Sequence, residues 1–540
     1  MFKKLIKVFT VVLLIIAMAC GMIACDSGSD DDDDKKKTMK PSEEAFKAAY
    51  GEVVTELLAG LDKSYANAGK YSLQDLGMSS TVTVNISTEL NNLLRSLTGY
   101  DFAWVNGLSY TTSQNFKGDL LSTATNVAYN GTQFLSASAI FDLVSGSVYL
   151  GIPEMNATYL KQSFADIDDM EEIVSILKVL TSTDFTKALP DKSVLKALLS
   201  DITEAIIDSV EDVEFEESTI TANGVSQDCV EYVVEIGTKD LVNLAKNVLK
   251  ELQNNKNLDS LVNHFVNYAK TISGQLGVEM DPTITPEAVT SMISSAIANV
   301  LTQIDSATAS MPDMKLATWT SYITKDLEIL GTKIDVDLTS VTGDSTAGNA
   351  SVYIATATDG NDVGAELSVT VAGVKYAEIV GDLTKSGKTL SGTCNVKVQG
   401  QSYAVIELAN VNTSGEYFTG AITVSPSSML LNMLTSEFGD ELAEIGINLV
   451  NPGIKIDVQE NNGSKFKLSV SVMNNGSAYA SFGVEGSIGK AQSITKPGST
   501  TTDIESWSES FTVNKITNIL SQAGLPSYLV DLIKGSAQAE

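Results

Sequence analysis

Thr81-Val82-Thr83-Val84-Asn85-Ile86 alternates polar and apolar residues with a period of two. Successive side chains of a pleated strand leave opposite faces, so this stretch predicts a strand with one apolar and one hydrated face. Ser147-Val148-Tyr149-Leu150-Gly151-Ile152 alternates in the same way, and turn pairs such as Asn130-Gly131 separate the runs. The strand pattern covers Ser79 to Phe164. It returns over Val213 to Ile236 as a hairpin around Asn223-Gly224, then over Asp326 to Val424 and Gly453 to Ile488.

Helical spacing fills the intervals. Pro41 to Asn67 places Phe46, Tyr50, Val53, Val54, Leu57, Leu58 and Leu61 three and four residues apart. Ile167 to Leu180, Pro190 to Val210, Thr238 to Leu252, Leu258 to Ile272, Pro286 to Ile304, Pro426 to Ile445 and Val513 to Lys534 follow the same rule. Thr238 and Thr285 are expected caps, and Pro286 suits a first helical turn. Strand runs kept apart from helix runs imply an α+β fold: long, curved antiparallel meanders packed by segregated helices, not a doubly wound βαβ sheet. The strand–helix order occurs twice, near 79–304 and 326–534. It predicts two related lobes, 41–310 and 311–540.

A finer repeat runs through the strands. A glycine is followed three residues later by an aromatic at Gly131/Phe134, Gly373/Tyr376, Gly400/Tyr403 and Gly476/Tyr479, and alanine follows the last three tyrosines. The spacing of the glycines is irregular, which excludes a solenoid. The pattern predicts a recurrent hairpin, with a turn glycine at positive φ and an aromatic on the packed face.

The first 24 residues are built differently. Lys3, Lys4 and Lys7 precede the apolar run Val8 to Ala19, which closes with Met22-Ile23-Ala24-Cys25. Basic, apolar and small residues in that order predict a secretory signal over 1–24. A spanning anchor is disfavoured, because Val8 to Ala24 is short against the roughly 20 apolar residues a transmembrane helix needs. The ending resembles the lipobox of bacterial lipoproteins, cut before a cysteine that then carries a diacylglycerol. That resemblance implies lipidation at Cys25, with Cys20 after Ala17-Met18-Ala19 as the alternative. Two acyl chains suffice for a stable anchor where one does not. Residues 25–40, with Asp30 to Asp34 and Lys35 to Lys37, predict a disordered acidic tether.

Composition excludes several functions. The chain has 540 residues, 36 Lys+Arg against 67 Asp+Glu, and a net charge of −31. Loss of residues 1–24 removes three lysines and no acid. Arg95 is the only arginine. Arginine reads phosphate and guanine, so a nucleic-acid partner is not expected. His264 is the only histidine, and no Cys/His cluster stands beside it, so neither a metal site nor a cofactor is expected. It is expected on a surface helix. Asp359-Gly360-Asn361-Asp362-Val363-Gly364 lacks the closing glutamate of a calcium loop and is expected to be a hairpin turn. No nucleophile elbow or phosphate loop is present, and the chain is not expected to be an enzyme. Beyond the lipidated cysteine, two thiols remain, Cys229 and Cys394. One disulfide in an oxidising compartment and two buried thiols are the alternatives, and nothing in their spacing forces them together.

Val148 to Glu154 with Tyr159-Leu160-Lys161, Asn223 to Gln227, and Lys496-Pro497 through Ile504 and Trp507 to Leu525-Pro526 together resemble uncharacterised lipoproteins of anaerobic Gram-positive bacteria. The meanders closed by helices also resemble, more remotely, the curved half-barrels of lipoprotein carriers and lipid-binding lipoproteins. That resemblance implies general apolar lining and no transferable ligand residues. The expected function is a binding or interaction module anchored on the extracytoplasmic face of the cell membrane, with an apolar, lipid-like ligand or a surface protein as partner. A structural surface protein without ligand and a transporter's solute-binding component are the alternatives. The ligand-binding residues are unknown from sequence.

Overall fold

The computed structural model describes residues 39–68, 75–166, 185–309, 312–342, 346–412, 418–444, 448–509 and 511–536. Cys20, Cys25, most of the tether and the helix expected over 167–180 lie outside them. The fold is α+β with long antiparallel meanders. Its strands in chain order are β1 Asp75–Ile86, β2 Leu108–Lys117, β3 Leu120–Tyr129, β4 Thr132–Asp142, β5 Ser147–Ile152, β6 Asn156–Ser163, β7 Glu214–Ala222, β8 Val225–Gly237, β9 Lys315–Ile323, β10 Ile329–Asp337, β11 Asn349–Asp359, β12 Asp362–Val371, β13 Val374–Ser386, β14 Thr389–Val398, β15 Gln401–Asn412, β16 Gly420–Pro426, β17 Gly453–Asn461, β18 Lys465–Asn474, β19 Ser477–Gly489 and β20 Thr500–Thr501.

Two compact units form: Met1–Tyr65, Leu189–Lys270 and Met280–Met433; and Ala66–Ala188, Thr271–Glu279 and Leu434–Glu540. They interleave along the chain, where the sequence reading sets consecutive lobes at 41–310 and 311–540. Strand pairing explains the interleaving. β1 pairs with β19, from Gly77 opposite Gly489 to Ile86 opposite Ala480, so the C-terminal hairpins join the N-terminal meander.

In the first unit β7 to β16 pair antiparallel in chain order. The helix Glu43–Ala68 docks on β8, β9 and β10 through Ala45, Phe46, Ala49 and Tyr50, all buried. A second core joins Ile220, Ala222 and Cys229 to Leu330, Ala355 and Ala357. The Asn223-Gly224 turn lies against the middle of the meander, where Asn223 Nδ2 donates to Gly381 O at 2.9 Å. Gly364 permits this approach: a Cβ there would lie 1.9 Å from Ala222 O. The calcium-like string is therefore a hairpin turn, Asp359 opposite Asp362, followed by a close-contact glycine.

In the second unit the order is β17-β18-β19-β1-β2-β3-β4-β5-β6, with β20 parallel to β6. Leu121, Leu143, Val148 and Phe164 form its buried cluster. Asp142 is 1% exposed and bonds to Lys496 and to the Ser145 hydroxyl. Burial raises its pKa, but the bonds from Lys496 and Ser145 outweigh burial and bring it from 3.8 down to about 2. A carboxylate with a depressed native pKa stabilises the fold fully above its unfolded value, and loses that stabilisation as pH falls through the native value. Asp142 is thus expected to contribute about 2 kcal/mol above pH ~4, lost towards pH ~2. Urea unfolding of Asp142→Asn should lack this acid limb; an unchanged pH profile would refute the assignment.

Several elements differ from expectation. The run from Ser79 to Phe164 is interrupted by the helix Thr88–Thr98, capped by Ser87, whose hydroxyl accepts from Leu90 N. β9 lies where no strand is expected. The closing helix is two, Val513–Gln522 and Ser527–Ser536, separated at Gly524-Leu525-Pro526. Gly237, not Thr238, caps the helix Thr238–Asn254; the Thr238 hydroxyl donates to Pro312 O.

The glycine–aromatic repeat has a definite geometry. Asn130-Gly131, Ala372-Gly373, Gln399-Gly400 and Asn475-Gly476 all have positive φ at both residues, the primed turn that matches strand twist. In each hairpin the aromatic is the extra residue of a bulge: Phe134, Tyr376, Tyr403 and Tyr479 have no cross-strand partner in the register. Ala372 and Gln399 occupy the left-handed region that Asn tolerates better. Ala372→Asn and Gln399→Asn are each expected to stabilise the protein by about 0.5 kcal/mol, read from the urea midpoint.

Candidate functional site

Strand alternation in β17, β18, β19 and β1 sorts side chains onto two faces. Lys467 and Glu485 pair at 3.6 Å on one face, beside Ser79, Thr81 and Ser487, and line a shallow polar groove of about 290 Å³. The other face carries Ile456, Val470, Phe482 and Val84 directly opposite one another across four strands. The next row is Ile454, Val472, Ala480 and Ile86. Neither row holds a charged residue.

On β18 the apolar residues beside a buried serine are exposed. Ser471, on the polar face, is buried, while its neighbours Val470 and Val472 are exposed. Phe482 is 46% exposed, Val84 39%, Ile456 43% and Ile454 54%. Apolar residues scattered singly over a surface need no explanation, but a contiguous exposed patch marks a binding surface. The face is an open surface rather than an enclosed cavity. It offers dispersion and apolar burial to a partner and no hydrogen-bonding or acid–base group.

Tyr479, the bulge residue of the β18–β19 hairpin, accepts from Ser87 N through its carbonyl at 2.9 Å. Ser87 then caps the helix Thr88–Thr98, which follows the exposed Val84 by four residues. The hairpin bulge therefore sets where β1 ends and where the helix beside the face begins.

The residues singled out from sequence fall elsewhere. Cys25 and Cys20 lie outside the described residues. His264 stands on the helix Lys256–Leu276, parallel to Tyr268 with ring centroids 6.4 Å apart. No disulfide joins Cys229 and Cys394. Burial pushes the Cys229 thiol up to about 11, so at neutral pH it packs as a small apolar group. Among the described residues no three His, Cys, Asp or Glu gather as a metal site would require. No described helix is long and apolar enough to cross a membrane.

Sequence reasoning located the strands of the apolar face but not its exposure. One available signal was the recurrence of Thr83-Val84 … Ser87 … Leu90 as Thr423-Val424 … Ser427 … Leu430. No family profile, curated protein or solved structure matches the chain.

Proposed function

We propose that the protein is a membrane-anchored extracytoplasmic lipoprotein that acts, without catalysis, as a binding module for an apolar ligand. The ligand's seat is the face of Ile456, Val470, Phe482 and Val84. The observation that carries this reading is the exposure of that face, an uncharged apolar row in a chain of net charge −31. An ionic partner gains nothing there, whereas an apolar one removes surface from water. The lipobox-like ending and the acidic tether support the location.

The anchor is tested on its own. Cys25→Ser is expected to abolish labelling by a fatty-acid probe and to release the protein or leave it uncleaved. Continued labelling of that variant, with loss in Cys20→Ser, would move the anchor to Cys20. For the binding reading, native mass spectrometry of the gently extracted protein should show a co-purifying apolar molecule. A second copy of the chain or a tightly held protein on this face would oppose it.

A further inference from the structure

Independently of that face, we infer that the first unit carries a built-in strap: the hairpin arm of residues 218–229 lifts off the meander as one piece, and the thiol of Cys229 is reachable only while it is lifted. The pairing sets this arm apart. β8 pairs with β9 only from Val230 to Gly237, and β9 stops at Ile323, opposite Val230. Val225 to Cys229 pair with β7 alone, from Ala222 opposite Val225 to Ser218 opposite Cys229. Among the described residues the arm therefore shares no backbone ladder with β10 to β13, the strands it lies across.

Side chains hold the arm down. Its underside buries Ile220, Ala222 and Cys229 against Leu330, Ala355 and Ala357. Hydrogen bonds between a side chain and a main-chain group fix it along its length. Asn223 Nδ2 donates to Gly381 O at 2.9 Å, Thr358 N donates to Gln227 Oε1 at 2.8 Å, and the Tyr353 hydroxyl donates to Thr221 O at 3.3 Å. Two glycines admit it. A Cβ on Gly331 would lie 2.7 Å from Ile220 Cδ1, and one on Gly364 would meet Ala222 and Val225 first. The upper side of the arm is polar: Thr219, Thr221, Ser226 and Asp228 are exposed, and the Thr221 and Ser226 hydroxyls bond to each other at 2.8 Å.

A segment opens on its own when few buried apolar contacts tie it to the rest. Lifting the arm leaves the pairing of β7 with β8 and of β8 with β9 intact. It gives up the burial of Ile220, Ala222 and Cys229 and the side-chain bonds above. Unfolding the unit breaks the meander as well, together with the cluster of Phe46, Val230, Tyr232 and Val234 on the other face of β8. Opening the arm is therefore the cheaper event. Closed, Cys229 is 6% exposed, and its raised pKa keeps the thiol protonated at neutral pH, whereas the thiolate is the reactive form. Lifted, it regains the reactivity of an ordinary free cysteine. One movement thus bares the trough of Gly331, Ala355, Ala357 and Gly364 and activates a thiol.

The test is alkylation of Cys229 by iodoacetamide in the full chain, read by peptide mass spectrometry at increasing urea beside the unfolding curve from tryptophan fluorescence. Alkylation is expected without denaturant, at a rate nearly flat in urea below the unfolding transition, because lifting the arm exposes little surface. Gln227→Ala removes one bond of the arm and should raise the rate about 5-fold. Gly364→Ala pushes against Ala222 and should raise it by at least about 10-fold. Phe46→Ala weakens the packing on the other face of β8 and should change it by less than about 2-fold. Alkylation that appears only with the unfolding transition would overturn the strap. So would a rate that Gly364→Ala leaves unchanged, or one that Phe46→Ala raises as much as Gly364→Ala does.

Discussion

Phe482→Asp is expected to weaken apolar-ligand binding by about 30- to 100-fold at the seat it occupies, and to cost about 1–2 kcal/mol of folding stability without unfolding the chain. Full burial of a Phe or Ile side chain contributes about 1.5–3 kcal/mol, and each residue of the Ile456–Val470–Phe482–Val84 row is already more than half covered, so what remains is worth about 1 kcal/mol each. The row offers roughly 4 kcal/mol, less the cost of immobilising the ligand. Aspartate removes one such contribution and adds an unpaired carboxylate that the ligand must desolvate. Together they reach the 2–3 kcal/mol behind the stated ratio. Phe482→Leu keeps the apolar surface and should change affinity by less than about 3-fold. Equal binding by the native chain and the aspartate variant would remove this face from the function.

The strands were legible because their alternation is regular and their turns are chemically distinctive. Asn130-Gly131 and Asn475-Gly476 announce primed turns; Ala372-Gly373 and Gln399-Gly400 adopt the same turn without the asparagine. The helix Thr88–Thr98 has its signals too, a serine cap and leucines at 90, 93, 94 and 97, but it is one short element inside a long strand pattern. What alternation does not reveal is which face is covered. It sorts Val470 from Ser471, and a buried apolar face is the ordinary outcome. Here Ser471 is the buried one, and only tertiary packing determines that. The interleaving of the units escapes the sequence for a related reason. The pairing of β1 with β19 depends on registers between strands far apart in the chain, and no local pattern carries that information.

Phe46→Ala is expected to destabilise the first unit by about 3–5 kcal/mol, the range for truncating a buried aromatic. Phe46 is 1% exposed. Its ring centroid lies 5.0 Å from Tyr50, 5.4 Å from Trp319 and 5.8 Å from Tyr232, in tilted and edge-on arrangements that add to the burial term. Alanine leaves a void against β8 and β9 that rings fixed on a sheet cannot close. The control lies on the same helix. Leu57 is exposed, and Leu57→Ala should cost less than about 0.5 kcal/mol, so the contrast isolates docking from helix propensity. Thermal unfolding should place Phe46→Ala on the order of 10 °C below the native chain in the transition of this unit. Equal shifts for the two variants would mean that the aromatic cluster does not hold the helix. The position of the cluster makes the result informative about attachment. Met39 N donates to Lys325 O at 3.1 Å, so the chain enters the fold at the turn between β9 and β10, and Ala45, Phe46, Ala49 and Tyr50 are the next residues to be buried. A docking worth several kcal/mol there ties the helix Glu43–Ala68 to the ladder of β8, β9 and β10.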